Sequence, residues 1–220
     1  MKTTPVLALG LSMAVALTAC GTAAMQSNHP TPSMDVKDRQ PPRPQIRRNP
    51  NPTAYEITAT IENAPGPFGV VKAAMQYEVL DDRCLPDLGG MAGTRASLLE
   101  WVPIELMHVS GDTYRGVIYD DLLVDEDYFG LGVCHWSLVT AQFKLRATEA
   151  KDDAAFSYHL FHDDLVSEHR IRAYFWNGDY PAVESIPGML IPGEEDREKF
   201  KPEYRDQLFV LDLAIRKASS

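Results

Sequence analysis

The sequence predicts a mainly-β domain over residues 54–220, folded as one β-sandwich or open barrel of roughly eight strands. Two observations support this fold class. The dominant pattern in the domain is alternation of apolar and polar residues with a period of two, and turn-forming residues separate the alternating segments. The chain shows no internal repeat, and about 167 residues are enough for one domain with a sizeable core.

Most of the predicted strands are short segments in which every second residue is apolar. One face of such a strand points to the core and the other to solvent. A Gly-containing turn at residues 110–112 separates two of these segments, which predicts a β-hairpin. The segments are 55–62, 71–79, 102–109, 113–119, and the pair 156–161 and 170–176, joined by a polar connection.

The longest candidate strand, 132–148, changes phase in its middle. Its apolar positions up to Leu138 share one face, whereas those from Val139 onward fall on what should be the opposite face. A phase change of one residue is what a β-bulge produces. The alternative is a strand that is buried on both faces.

The C-terminal part of the domain combines irregular segments with a last strand. Prolines and glycines punctuate residues 186–195, which predicts a loop. The charged stretch that follows predicts a short helical segment near residues 194–200. Segment 208–217 alternates apolar with charged residues and fits a strand better than a helix.

The first twenty residues predict export. Lys2 precedes an uncharged run from Val6 to Leu17, which is shorter than the roughly 20 residues that a membrane span needs. The run ends in Leu17-Thr18-Ala19-Cys20, which resembles the lipobox of bacterial lipoproteins. That resemblance implies a signal peptide over residues 1–19, lipidation of Cys20, and a lipid anchor in the outer membrane facing the periplasm.

Residues 20–53 are predicted to be a disordered tether. The segment is rich in proline and sparse in apolar residues, so it cannot bury enough surface to offset the entropy of ordering. Its cations give it a net charge of +3, which suits contact with anionic headgroups. A docking peptide of the polyproline kind is the alternative, but a plain spacer is favoured.

The lipoprotein resemblance also bears on the cysteines. Periplasmic proteins meet an oxidising compartment, and once Cys20 is lipidated only Cys84 and Cys134 remain to form a disulfide. The alternative is a Cys134–His135 nucleophile. It is disfavoured because adjacent residues of a strand point to opposite faces.

Charge and missing motifs exclude several classes of function. Residues 54–220 hold 15 lysines and arginines against 29 aspartates and glutamates, a net charge of −14 that repels nucleic acid. The sequence contains no HExxH, GxSxG or Walker motif and no glycine-rich dinucleotide fingerprint. We therefore expect no catalytic residue, no cofactor and no metal site. The acidic segment 120–127 lacks EF-hand spacing, so a solvated turn is favoured over calcium binding.

Acidic and aromatic residues mark the candidate surfaces for binding a protein partner. Acids accelerate encounter with a basic partner, and aromatic side chains are frequent anchors of interfaces. Alternation along 170–176 directs Trp176 away from the core, where an exposed tryptophan needs an explanation. The candidate residues are Asp125, Glu126, Asp127, Tyr128, Tyr174 and Trp176.

The overall plan of lipid anchor, tether and acidic β domain resembles two groups of lipoproteins or inhibitors. One is the immunity proteins that Gram-negative bacteria pair with antibacterial secretion-system effectors, and the other is the periplasmic inhibitors of lysozyme-like enzymes. The resemblance implies a non-enzymatic binding protein with a periplasmic, basic partner. An accessory lipoprotein of an envelope assembly and an envelope hydrolase with an unrecognised site are the alternatives.

Overall fold

A computed structural model of the chain describes residues 41–89 and 93–219. Within these ranges the chain forms ten strands, one short α-helix and several 3-10 turns. The strands are β1 (Ala54–Glu62), β2 (Val70–Val79), β3 (Leu99–Ile104), β4 (Met107–Ser110), β5 (Thr113–Tyr119), β6 (Trp136–Arg146), β7 (Ala155–Phe161), β8 (Ile171–Trp176), β9 (Leu190–Pro192) and β10 (Leu208–Lys217), and the helix is α1 (His162–Val166).

The strands form two five-stranded sheets. The first has the order β4-β5-β1-β10-β8 and the second the order β3-β2-β6-β7-β9. All strand pairs are antiparallel except β7 and β9, which run parallel. This arrangement confirms the predicted mainly-β fold as a sandwich-like structure rather than a closed barrel, with ten strands in place of roughly eight.

The core lies between the two sheets and is dominated by aromatic and branched side chains. Phe209 of β10 is its centre, with its ring centroid 5.0 Å from those of both Phe156 and Phe175. Phe68 closes one side of this cluster at 5.3 Å from Phe209. Because β7 belongs to one sheet and β8 and β10 to the other, these rings hold the two layers together.

Chain segments also join the sheets at both sides of the sandwich. Segment 102–109, predicted to be one strand, is in fact divided: β3 pairs with β2 in the second sheet, and β4 pairs with β5 in the first. The prediction of a single strand is therefore wrong, although the β4–β5 hairpin is confirmed. The two short strands alternate alike, so the sequence pattern does not show where the chain changes sheet.

The opposite side is joined by the chain that follows β9. Segment 186–195, predicted to be a loop, contains this short strand, and Glu194 then pairs with Tyr174 of β8 in the other sheet. Gly193 allows the close approach, because a Cβ there would lie 2.7 Å from Cζ of the buried Phe175. The predicted helical segment follows as a 3-10 turn at Arg197–Lys199, with a second at Pro202–Tyr204.

The phase change in β6 is a β-bulge, as predicted. The register between β2 and β6 shifts at Gln76/Tyr77. Gln76 pairs with Thr140 and Tyr77 pairs with Leu138, so Val139 is the extra residue of β6. The bulge returns both Leu138 and Ala141 to the buried face.

The connection between β7 and β8 differs from the prediction of a strand pair. β7 lies in the second sheet and β8 in the first, and α1 begins the polar connection between them. Adjacent alternating segments are equally compatible with pairing in one sheet and with packing across a sandwich. Only the pairing with β10 assigns β8 to the first sheet.

Ordered contacts begin earlier than the predicted tether boundary at residue 53. Residues 47–49 run alongside residues 121–124, through a backbone bridge between Arg48 and Leu123 and a 2.7 Å hydrogen bond from Asn49 N to Leu122 O. Ile46 packs against the core. The predicted signal peptide, the predicted lipidation site at Cys20 and the part of the predicted tether before residue 41 lie outside the described residues. In the described ranges, no helix has the length and apolar character needed to cross a membrane.

Candidate functional site

The disulfide predicted between Cys84 and Cys134 is present. The two Sγ atoms are 2.04 Å apart and the Cα atoms 5.4 Å apart. Both cysteines are buried in a small second cluster with Val79, Leu85 and Leu98. Because the disulfide consumes the Cys134 thiol, the alternative of a Cys134–His135 nucleophile is excluded.

The disulfide ties down a loop, residues 125–136, that we call the braced loop. Asp125 holds its two ends together: Trp136 N donates to Asp125 Oδ1 at 2.9 Å, and His135 Nδ1 lies 2.7 Å from Asp125 Oδ2. Cys134 N donates to Glu126 O at 2.9 Å and closes the loop a second time. The Asp125 carboxylate therefore has a structural role as well as a charge.

The other predicted residues of this segment are also engaged. Glu126 pairs with Arg47, whose Nε donates to Glu126 Oε2 at 2.9 Å, and this hydrogen bonding lowers the pKa of the Glu126 carboxyl. Asp127 Oδ1 accepts from Leu131 N at 3.0 Å. Tyr128 donates its hydroxyl hydrogen to Val124 O and accepts from Trp136 Nε1 at 3.1 Å. The structure thus brings these predicted residues together, mostly as the internal supports of the loop.

The apolar side chains that the braced loop exposes are Leu131 and Val133, which are 52% and 50% exposed. They alternate with Gly130 and Gly132, whose φ angles of 73° and 110° favour glycine. The sequence analysis did not select these two residues. The signal that identifies them is the Gly-Leu-Gly-Val pattern, because glycines that form the turn leave the intervening side chains without cover.

The second predicted surface is not free. The ring of Trp176 lies 4.5 Å from that of Tyr204, centroid to centroid, and the backbone of Tyr174 pairs with Glu194. Both predicted residues are half-buried, because the segment around residues 194–204 covers this face of β8. Trp176 was selected because alternation predicts that it is exposed, and this reason does not hold.

The histidines near β7 are spread over separate contacts. His159 Nε2 is 3.0 Å from Gln142 Nε2, and burial lowers the pKa of this imidazole. His162 Nε2 is 3.0 Å from Asp120 Oδ1. His169 Nδ1 is 3.3 Å from Ser167 Oγ. In the part of the chain that the structure describes, no three His, Cys, Asp or Glu side chains are grouped so as to hold a metal ion.

We expect Tyr128→Phe to lower the free energy of unfolding by about 1–2 kcal/mol, because Trp136 Nε1 and Val124 O then lose a partly buried hydrogen-bond partner. Urea denaturation of the purified protein, followed by tryptophan fluorescence, measures the change. The matched control is Tyr204→Phe, since within residues 41–89 and 93–219 the Tyr204 hydroxyl makes no hydrogen bond. Equal stability of both variants would contradict this role of Tyr128.

Comparison with known proteins found no matching family model, no matching curated protein and no matching solved structure.

Proposed function

We propose that this protein is a non-enzymatic, lipid-anchored binding protein of the periplasm that neutralises an antibacterial effector or an envelope hydrolase. The observation that carries the proposal is the braced loop, which exposes Leu131 and Val133 beside the carboxylates of Asp125 and Asp127. Apolar side chains surrounded by polar and acidic groups are typical of a protein interface.

The bracing supports binding because it reduces the entropy that is lost when a partner docks. A loop already held by the disulfide, by Asp125 and by Tyr128 has little conformational freedom left to lose. The acidic charge of the domain supports a basic partner, since opposite charge raises the association rate. Inhibition of an enzyme by a complementary surface needs no catalytic group on the inhibitor.

The proposed anchor at Cys20 is compatible with the position of the braced loop. Pro41, where the described chain begins, lines the same cleft as Phe129 of the loop. The 21 Cα–Cα steps from Cys20 to Pro41 span at most about 76 Å when fully extended. An anchor at Cys20 would therefore hold Pro41, the start of the described chain, within that distance of the membrane surface.

The test is affinity capture with the mature lipidated chain from detergent-solubilised envelopes of its own cells. We expect it to retain a basic periplasmic protein, and we expect the chain to block that protein's toxicity or hydrolytic activity. The paired change Leu131→Asp and Val133→Asp should weaken capture at least tenfold, the effect of an interface hot spot.

The matched control is Met107→Asp with Val109→Asp on β4, at side chains that are 68% and 47% exposed. This control should capture as well as the wild type. Failure to retain any protein, or turnover of peptidoglycan or phospholipid by the chain itself, would refute the proposal. Retention of a whole membrane complex would favour the accessory role instead.

A further inference from the structure

An open groove adjoins the braced loop at Trp136. It is about 600 Å³ in volume and lies between Leu80, which follows β2, the first residues of β6, and the junction of β7 and α1. Leu138 and Val139 at the bulge contribute apolar surface to it. With Asp120 and Asp121, which follow β5, the groove gathers residues from four separate parts of the chain.

Two large apolar side chains stand exposed in this groove. Leu80 is 66% exposed and Phe161 is 56% exposed. Phe161 is the last residue of β7, and alternation turns it outward because the preceding Leu160 is buried in the core. A leucine and a phenylalanine left uncovered in one concave site indicate a surface that binds another molecule.

The rim of the groove is acidic and lacks cationic partners. Asp120, Asp121 and Asp163 line it, and among the described residues none of the three pairs with a lysine or arginine. Asp121 instead accepts from Thr53 N at 2.6 Å, and Asp120 faces the His162 imidazole. The rim is thus left with negative charge that a ligand can neutralise.

We propose that this groove docks a segment of the partner protein in which an apolar side chain is flanked by lysine or arginine. The inference rests on the proposed function and specifies which kind of segment of the partner binds in the groove. The apolar side chain fits between Leu80 and Phe161, and the cations meet the rim carboxylates, which pair with no lysine or arginine among the described residues. The same carboxylates repel anionic lipid and nucleic acid.

The experiment is photo-crosslinking in cells, with p-benzoylphenylalanine in place of Phe161 in the full chain. We expect one crosslinked protein, the one retained by affinity capture, and mass spectrometry should place the crosslink in a segment that carries lysine or arginine. The same probe in place of Met107 is the control for an exposed apolar position outside the groove, and it should give no such product.

Two further variants test the chemistry of the groove. Leu80→Asp should lower the yield of the crosslink at least about tenfold, since it places a charge on the apolar contact. Asp120→Asn with Asp163→Asn should lower it severalfold and weaken its dependence on salt. The thermal unfolding midpoint of each variant shows that the domain remains folded.

The outcomes separate this inference from the proposed function. If the partner is captured but crosslinks equally from both positions, or from neither, the groove is not its docking site and the proposed function stands. A crosslink to a second copy of this chain, to its own residues 1–40 or to phospholipid also overturns the inference. If the wild type captures no protein, the proposed function fails and the inference fails with it.

Discussion

Loss of the Cys84–Cys134 disulfide is expected to lower the free energy of unfolding by about 4 kcal/mol. The cysteines are 50 positions apart, and the chain-entropy estimate for a loop of that length gives roughly this value. The small cluster around the disulfide adds to the effect, because it packs the braced loop against residues 79–88 and 96–98. For a domain of this size the expected decrease in the unfolding midpoint is about 8–16 °C.

The measurement is thermal unfolding of the purified protein with and without reductant. The paired change Cys84→Ala and Cys134→Ala should reproduce the decrease, and reductant should then have no further effect. The same paired change should reduce partner capture, because the braced loop loses its closure. An unchanged midpoint after full reduction would show that the disulfide does not stabilise this domain.

The second large effect is expected at Phe209. Phe209→Ala should lower the free energy of unfolding by about 3–5 kcal/mol, because it removes a fully buried ring and leaves a cavity between the sheets. The neighbouring rings of Phe156, Phe175 and Phe68 cannot all move to fill it, since they belong to different elements.

Urea denaturation provides the measurement, and the chain offers a matched control in Phe161→Ala. That substitution removes the same ring from an exposed position, so the free energy of unfolding should change by no more than about 0.5 kcal/mol. The two substitutions should act in different ways: Phe161→Ala should weaken partner binding without destabilising the domain, and Phe209→Ala should act only through stability. Similar destabilisation by both would contradict the assigned burial.

The internal contacts of the acidic residues determine which variants can test binding. Asp125 and Asp127 both accept backbone hydrogen bonds within the braced loop, so reversing their charge would alter the loop as well as the surface potential. Leu131 and Val133 are better probes because their exposed side chains can be changed with less effect on those bonds. A loss of binding at these two positions is therefore easier to interpret.

Features that depend on local pattern were predictable from the sequence. Alternation along β1 and β2 predicts these strands, because one face of each lies in the core and the other does not. β10 is also a predicted strand, but residues 208–213 are buried on both faces. The one-residue phase change at Val139 identified the bulge for the same reason. The disulfide was predictable because the lipobox resemblance left only Cys84 and Cys134 to pair.

Features that depend on distant parts of the chain were decided by the tertiary structure. Arg47 and Glu126 pair across 79 positions, which orders a segment whose composition predicts a tether. Tyr204 packs against Trp176 and leaves it half-buried, so the argument from an exposed tryptophan does not hold there. The groove exists only because folding places Leu80, Asp120 and Phe161 side by side. Periodicity indicates whether a side chain faces inward or outward, but not which residue from another part of the chain contacts it. A surface such as this groove is formed by residues that are distant in sequence, so local pattern does not predict it.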